Sequence, residues 1–403
     1  MFFQLLLAVF IGCLFGIITG LIPGIHVNLV SILLISLSGY LLGFTQPIVL
    51  AVFIIALAVT HTFLDSIPSI FLGAPDSDMA LNVLPGHRML LEGKGYEAVK
   101  LTVIGSLLAL ICTVLIIPFM IPLVPGIYLF LQPYMGYILI FVVLFMILKE
   151  IKVNKILCGF YIFLMSGILG LIVLNWPNLE QPLFPMLSGL FGVSSLLLSL
   201  SQNVSLPKQR ITESIQIEKS AGIKAILAAV FSGSLTGIFP GLGAAQAAII
   251  AMQVVGDIGM YAFMILIGGI NTVNFVFSLV TFYTLEKARN GAVVAILDIL
   301  KTIDLNGLIV FLGAALIAGG IAAFLAMFFA RVFSNLISQV DYQKLVIFII
   351  GFITLLTVYF SGVIGFIILS TSTAIGLLAP LCNVKRSHAM GCLLLPVILF
   401  FLL

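Results

Sequence analysis

The chain has 403 residues, 62% hydrophobic and only 8% charged, with 17 Lys and Arg against 14 Asp and Glu for a net charge of +3. A soluble domain carries roughly a quarter of its residues as charges, so this composition excludes a water-covered globule, and the near-balanced charge gives no support to nucleic-acid binding. With a mean hydropathy of +1.34, the sequence reads as an all-α polytopic membrane protein, because backbone inside lipid must satisfy its own N–H and C=O groups.

The first apolar segment, 2–22, places Gly12, Gly16, Gly20 and Gly24 at every fourth position. On a helix that spacing makes one bare face, where another backbone can approach closely. Pro23 then breaks the helix, since it lacks the N–H and clashes with the preceding turn. Further apolar segments fall at 26–44, 47–64, 98–121, 133–149, 155–175 and 183–200. The stretch 201–220 is polar, with Lys208, Arg210, Glu213, Glu218 and Lys219, and reads as a solvated linker. A second series follows at 221–238, 242–257, 259–283, 306–331, 343–359, 361–380 and 387–403. Its first segment repeats the opening motif: Gly233, Thr236, Gly237, Pro240 and Gly241 stand where Gly16, Thr19, Gly20, Pro23 and Gly24 stood.

These observations predict residues 1–200 as a first transmembrane repeat, 201–220 as a linker and 221–403 as a second repeat. About seven segments per repeat is an odd number, so the two repeats should be inverted, with Pro-Gly-broken or re-entrant helices. The basic residues of the first half gather in alternate loops: Arg88, Lys94 and Lys100, then Lys149, Lys152 and Lys155, then Lys208, Arg210, Lys219 and Lys224. The loops between them, near 45, 122–132 and 176–182, carry no Lys or Arg. The positive-inside rule then places the N-terminus outside and the linker in the cytoplasm. In the second half Arg331, Lys344, Lys385 and Arg386 agree with this, while Lys287, Arg289 and Lys301 oppose it. The N-terminus lacks the basic region of a signal peptide, so no cleavage is expected. The five cysteines, Cys13, Cys112, Cys158, Cys382 and Cys392, are scattered and argue against a disulfide framework.

Paired Gly/Pro interruptions in corresponding segments point to a transporter's binding site. A helix beginning after such a break offers free N–H groups and a positive dipole end, which suit an anion. The predicted substrate site is therefore Thr19, Gly20, Pro23, Gly24, His26 and Asn28 at the first break, with Thr236, Gly237, Pro240, Gly241 and Gln246 at the second. His26 reads equally as a hydrogen-bonded core histidine. The third segments carry polar clusters, His61 and Asp65 in the first half and Asn271 and Asn274 in the second. Polar groups at that depth line a cavity or hydrogen-bond between helices. In the first reading these four couple transport to an ion, Na+ on oxygen ligands or H+ on Asp65 or His61. The pair Asp76 and Asp78 reads first as a helix cap and only second as a cation ligand, so no metal site and no cofactor other than a coupling Na+ are predicted. No HExxH, GxSxG or GxGD signature is present, which speaks against an enzyme.

The Gly-rich helix ending in Pro23-Gly24 resembles the N-terminal signature of the TctA family, the large membrane subunit of tripartite tricarboxylate transporters. The stretch from Ser66 through Pro68, Ser69, Leu72 and Pro75 to Gly86, Met89, Gly93 and Lys94 is similar to the family's small-residue helix, turn and Gly-Lys ending. Gly73-Ala74-Pro75-Asp76 and His87-Arg88 depart from that pattern, and the chain is shorter than the usual subunit. The resemblance extends over most of the chain and is strongest to the compact archaeal branch. It implies a secondary transporter of a small organic anion such as a di- or tricarboxylate. It also implies two partners, a small membrane subunit and an extracytoplasmic solute-binding protein. The alternatives are a carrier of a polyprenyl-phosphate lipid and, in another class, an intramembrane enzyme or a non-transporting scaffold subunit.

Overall fold

The computed structural model describes residues 1–22, 40–73, 83–150, 152–179, 181–201, 207–212, 217–239, 243–288, 290–337 and 342–403, with positions 27, 30, 79, 81 and 215. Pro23, Gly24, His26, Asn28, Pro240 and Gly241, and the acidic pair Asp76 and Asp78, lie outside the described residues.

The first half holds α1 (Phe2–Leu21), α2 (Pro47–Leu64), α3 (Ser66–Phe71), α4 (Val83–Leu91), α5 (Gly95–Met120), α6 (Val124–Leu131), α7 (Met135–Leu148) and α8 (Val153–Leu174). It closes with α9 (Leu183–Leu187) and α10 (Ser194–Ser201), joined by a π-helical turn over Ser188–Val193. The second half holds α11 (Lys219–Ile238), α12 (Ala244–Val255), α13 (Gly259–Leu285), α14 (Gly291–Leu300), α15 (Leu305–Ile337) and α16 (Tyr342–Leu381). A 3-10 turn, Arg386–Met390, leads into α17 (Gly391–Leu402). Among the described residues, 9 helical stretches are long and apolar enough to cross a membrane, which makes this a multi-pass membrane protein.

Two expected boundaries move. Residues 122–132, read as the loop between the segments 98–121 and 133–149, form α6, which runs through a 3-10 turn at Gln132–Tyr134 into α7. Pro125 sits in its first turn, where a fixed φ and a missing N–H cost nothing. The expected segments 343–359 and 361–380 are one helical stretch, α16, interrupted at Gly362 with φ 62° and ψ −157°. That backbone region is essentially restricted to glycine. Not every expected segment crosses unaided: α12, with 12 residues, spans about 18 Å against a core of about 30 Å.

The fold is built around α2 and α13. In the most apolar windows of the stretches containing them, 83% and 89% of residues are buried, against 22–61% elsewhere. The glycine face of α1 packs on α2: a Cβ added to Gly16 would meet the Thr60 Cβ at 2.5 Å and the Leu57 carbonyl at 2.8 Å. The glycine face of α11 packs on α13 in the same register: Gly233 would meet the Val273 Cβ at 2.7 Å and the Ile270 carbonyl at 3.2 Å. Thr60 and Leu57 are separated from Val273 and Ile270 by one constant interval, so the contact is made twice.

The halves then exchange partners. α5 crosses α13, where a Cβ on Gly105 would lie 2.0 Å from the Ile265 carbonyl and one on Gly268 2.3 Å from the Thr102 carbonyl. α15 packs in turn on α2. The outer helices do likewise. A Cβ added to Gly170 of α8 would run into the Cys392 carbonyl of α17, and one added to Gly376 of α16 into the Leu190 carbonyl of the π turn. Gly391 meets Phe163 and Ser166, and Gly189 meets Leu369 and Ser372, the same pairing with the two halves interchanged.

Candidate functional site

The C-terminal end of α2 and the middle of α13 meet in a polar seam. α2 is apolar up to Val59 and then presents Thr60, His61 and Thr62, with Asp65 as the residue that caps it. Asp65 is 3% exposed, and its backbone N–H closes the last turn on the His61 carbonyl at 2.9 Å. From α13, Asn271 donates through Nδ2 to Asp65 Oδ2 at 2.6 Å and reaches the Thr62 carbonyl at 3.5 Å. The hydroxyls of Thr62 and Thr272 stand 3.2 Å apart. α5 closes the seam: Thr102 donates to Ser66 Oγ at 3.1 Å, and Ser106 donates to the Gly268 carbonyl at 2.9 Å. Such a string of hydrogen bonds satisfies polar groups that would be costly bare in a membrane. A carboxylate at this depth is expensive to keep charged, so taking up a proton or a cation there is worth several kcal/mol.

Of the four residues expected to couple an ion, Asp65 and Asn271 are directly bonded. His61 lies one turn from Asp65, buried on the same helix end. Asn274 is buried one turn further along α13; its backbone carbonyl accepts from Ser278 at 2.7 Å.

The residues beside the two breaks behave alike. Thr19 and Thr236 each turn their hydroxyl back on the helix, to the Gly16 carbonyl at 3.3 Å and the Gly233 carbonyl at 2.7 Å. Gly20 and Gly237 lie against neighbouring helices: a Cβ would come 2.7 Å from the Leu64 Cβ in one and 2.9 Å from the Phe277 Cβ in the other. The same Gly20 position is 3.3 Å from the His61 carbonyl, and the Gly237 carbonyl accepts from Thr281 at 2.8 Å. Gly20 and Gly237 therefore each adjoin a polar turn of a central helix. Gln246 does not reach out: its Oε1 accepts from the Gly243 N–H at 2.9 Å and caps α12. A side chain three residues into a helix has its own N-terminus as its nearest donor.

A second feature lies at the start of α13. Arg88 of α4, Lys385 and Arg386 line a cavity of about 390 Å³ with Asp257, Met260 and Phe263. An adjoining lobe of about 440 Å³ adds Lys149 and shares Lys385 and Asp257. Glu150 accepts from the Lys385 N–H and from His388 Nε2, both at 3.2 Å. Burial raises the Glu150 carboxyl, but these hydrogen bonds and the neighbouring charges of His388 and Lys385 outweigh it and hold it below the usual range. Nearby, the end of the linker clasps the loop before α5, with Arg210 N–H on the Gly93 carbonyl at 2.8 Å and Gly95 N–H on Gln209 Oε1 at 2.9 Å. At the far end of α13, Lys287 stands 4.8 Å over the Tyr128 ring of α6. Sequence reasoning used Lys385 and Arg386 only as markers of orientation; their signal as site residues is an adjacent cation pair between two apolar runs.

Residues 6–391 match the Tripartite tricarboxylate transporter TctA family. An uncharacterised protein of Methanocaldococcus jannaschii is 30% identical over 410 aligned positions, covering 98% of this chain and 99% of that protein. No solved structure matches the chain. The family match takes in every helix of the polar seam and the cations of the cavity, and the chain belongs to the tripartite tricarboxylate transporter TctA family.

Proposed function

We propose that this protein is the conducting subunit of an ion-coupled secondary transporter for a small organic anion, a di- or tricarboxylate, built from two inverted repeats. The observation that carries the reading is the Asp65–Asn271 hydrogen bond at 2.6 Å, which joins the two central helices. Asn271 is 12 residues into the 27-residue helix α13, about 18 Å along a length of about 40 Å. Transporter sites lie near the membrane midplane where repeats meet. In this reading the helix starts after Pro23-Gly24 and Pro240-Gly241 face the anion, with His26 and Asn28 as donors. Asp65, with His61, Asn271 and Asn274 around it, takes the proton or Na+. Gathering Arg88, Lys149 and Lys385 around one cavity end supports the positive-inside orientation, with that end cytoplasmic and the N-terminus outside. The family's partners, a small membrane subunit and an extracytoplasmic solute-binding protein, complete the system.

The test is uptake of labelled citrate and succinate into proteoliposomes under an imposed Na+ or pH gradient, with the family's solute-binding protein inside the assay where one is encoded nearby. One gradient should drive accumulation, and Asn271→Ala should reduce it about ten- to hundred-fold, the worth of one hydrogen bond to a charged group. Undiminished accumulation by both Asn271→Ala and Asp65→Asn would remove the seam from the mechanism.

A further inference from the structure

The basic cavity at the start of α13 plays no part in the scheme above, yet it has the make-up of a built site. Three cations, Arg88, Lys385 and Arg386, and one carboxylate, Asp257, line a cavity of about 390 Å³; Arg88 also pairs with Glu92 at 3.6 Å, a solvent-exposed pair worth little that a ligand can displace. That volume falls within the range of small-molecule pockets. Asp257 is already engaged, accepting from the Gly259 N–H at 3.0 Å. Arg386 is only 9% exposed, and among the described residues its guanidinium donates to the hydroxyls of Ser194 and Ser195. Those hydroxyls aim the guanidinium without neutralising it. A buried guanidinium whose hydrogen bonds among the described residues go to neutral hydroxyls is costly, and a bound anion offsets that cost. Arg88 and Lys385 add exposed donors on the rim. The apolar wall of Phe191, Met252, Met260 and Phe263 matches a carbon skeleton between charged ends.

We infer that this cavity is a second binding site for a small multivalent carboxylate, separate from the polar seam, where the anion is held at the basic end of the molecule. The inference takes its substrate class from the transport reading, but binding here requires no transport. The planar fork of Arg386 suits bidentate contact with one carboxylate. Lys385 and Arg88 then engage a second carboxylate, so a dianion or trianion is preferred over a monoanion. A lipid headgroup offers the same negative charge, and the membrane used in the test separates the two sources.

The experiment is calorimetric titration of the full chain in neutral phosphatidylcholine nanodiscs with citrate, succinate and acetate. It is run in the Asn28→Ala background, so that the proposed anion site at the helix breaks contributes less. Citrate and succinate should bind and acetate should not. Lys385→Gln and Arg88→Gln, both at exposed positions, should each weaken citrate about tenfold or more, the worth of a charged hydrogen bond. Arg386→Lys should weaken it while keeping the charge, because the fork is lost. Citrate affinity unchanged by all three substitutions would overturn the site. Binding of phosphatidylglycerol that citrate does not displace would overturn it in favour of a lipid site. Cation-sensitive citrate binding in a protein that moves no carboxylate would leave this site standing and sink the transport reading. Gradient-driven uptake with citrate affinity indifferent to the cations would do the reverse.

Discussion

The two central helices receive the same glycine face and carry different chemistry. On α2 the turn beside α1 holds His61, with Asp65 one turn on; at the same register on α13 stand Asn274 and Ser278. Asn271, which reaches Asp65, has Ala58 as its counterpart. Packing is duplicated, and the titratable groups are not. Close backbone approach needs only small residues at a fixed interval, so both copies retain it at little cost. An ionisable group at that position costs several kcal/mol, and of the two matching turns described, only that of α2 carries it. The crossing is shared architecture, and the asymmetry is the feature on which the proposed coupling role rests.

The largest expected effect tests the architecture itself. Gly105→Leu or Gly268→Leu would drive a side chain into a carbonyl already 2.0–2.3 Å from an added Cβ. We expect no folded protein at normal yield, a loss beyond the roughly 1–3 kcal/mol of ordinary overpacking. Size-exclusion chromatography in detergent reads the outcome, and a monodisperse, stable peak for either variant would refute the crossing. Gly16→Ala and Gly233→Ala ask for smaller shifts and should cost similar amounts, about 1–3 kcal/mol each. A melting temperature lowered by only one of the two would break the duplicated half of the comparison.

Asymmetry is tested next. If Asp65 carries the coupling ion as proposed, Asp65→Asn should abolish gradient-driven accumulation while leaving counterflow exchange measurable. Ser278→Ala, at the matching position of α13, should leave accumulation within about two- to threefold of wild type, as its hydroxyl only closes on the Asn274 carbonyl. Equal damage from both substitutions would mean that the seam is structural.

The smallest effects compare the two ends of the molecule. At the basic end, Glu150 bridges to His388 and the Lys385 N–H. Its carboxyl is lowered in the folded protein, so the stabilisation is present above the unfolded value of about 4.5. It is lost as pH falls from there through the folded value. Thermal unfolding of wild type should therefore weaken on acidification in that window, and Glu150→Gln should flatten the dependence. An unchanged slope would show that the bridge contributes nothing. At the opposite end, Lys287→Met removes an exposed cation that stands over the Tyr128 ring and donates to its hydroxyl at 3.3 Å, together worth about 1–2 kcal/mol. A loss several times larger would mean that Lys287 holds a load that the geometry does not display.

Much of this was legible in the residues. The glycine interval announced two packing faces, and both are there, because a bare helix face is a local property. His61, Asp65 and Asn271 could be singled out because a polar group within an apolar run is costly wherever it lies. Gln246 could not be read this way. Its backbone-capping hydrogen bond competes with any ligand contact, and sequence spacing permits both. Residues 122–132 misled because an uncharged stretch fits a loop and an apolar helix equally well. The break at Gly362 fell where expected, yet the two segments continue as one stretch, since glycine permits the turn of backbone without dictating how far the chain bends.

Composition by itself made this chain a helical membrane protein, for with so few charges no aqueous surface can be covered and only helices satisfy their own backbone in lipid. The repeated Gly and Pro positions marked which segments correspond. Only the tertiary structure decided which helices those faces meet, that α5 and α15 pack on the opposite half, and that Asn271 finds Asp65 across a chain separation of 206 residues. It also brought Arg88 to Lys385 and Arg386, cations that no local pattern connects. Periodicity records what one segment presents to its surroundings. Which surface answers it is settled by the packing of the whole chain, where interactions distant in sequence sum to choose a single arrangement.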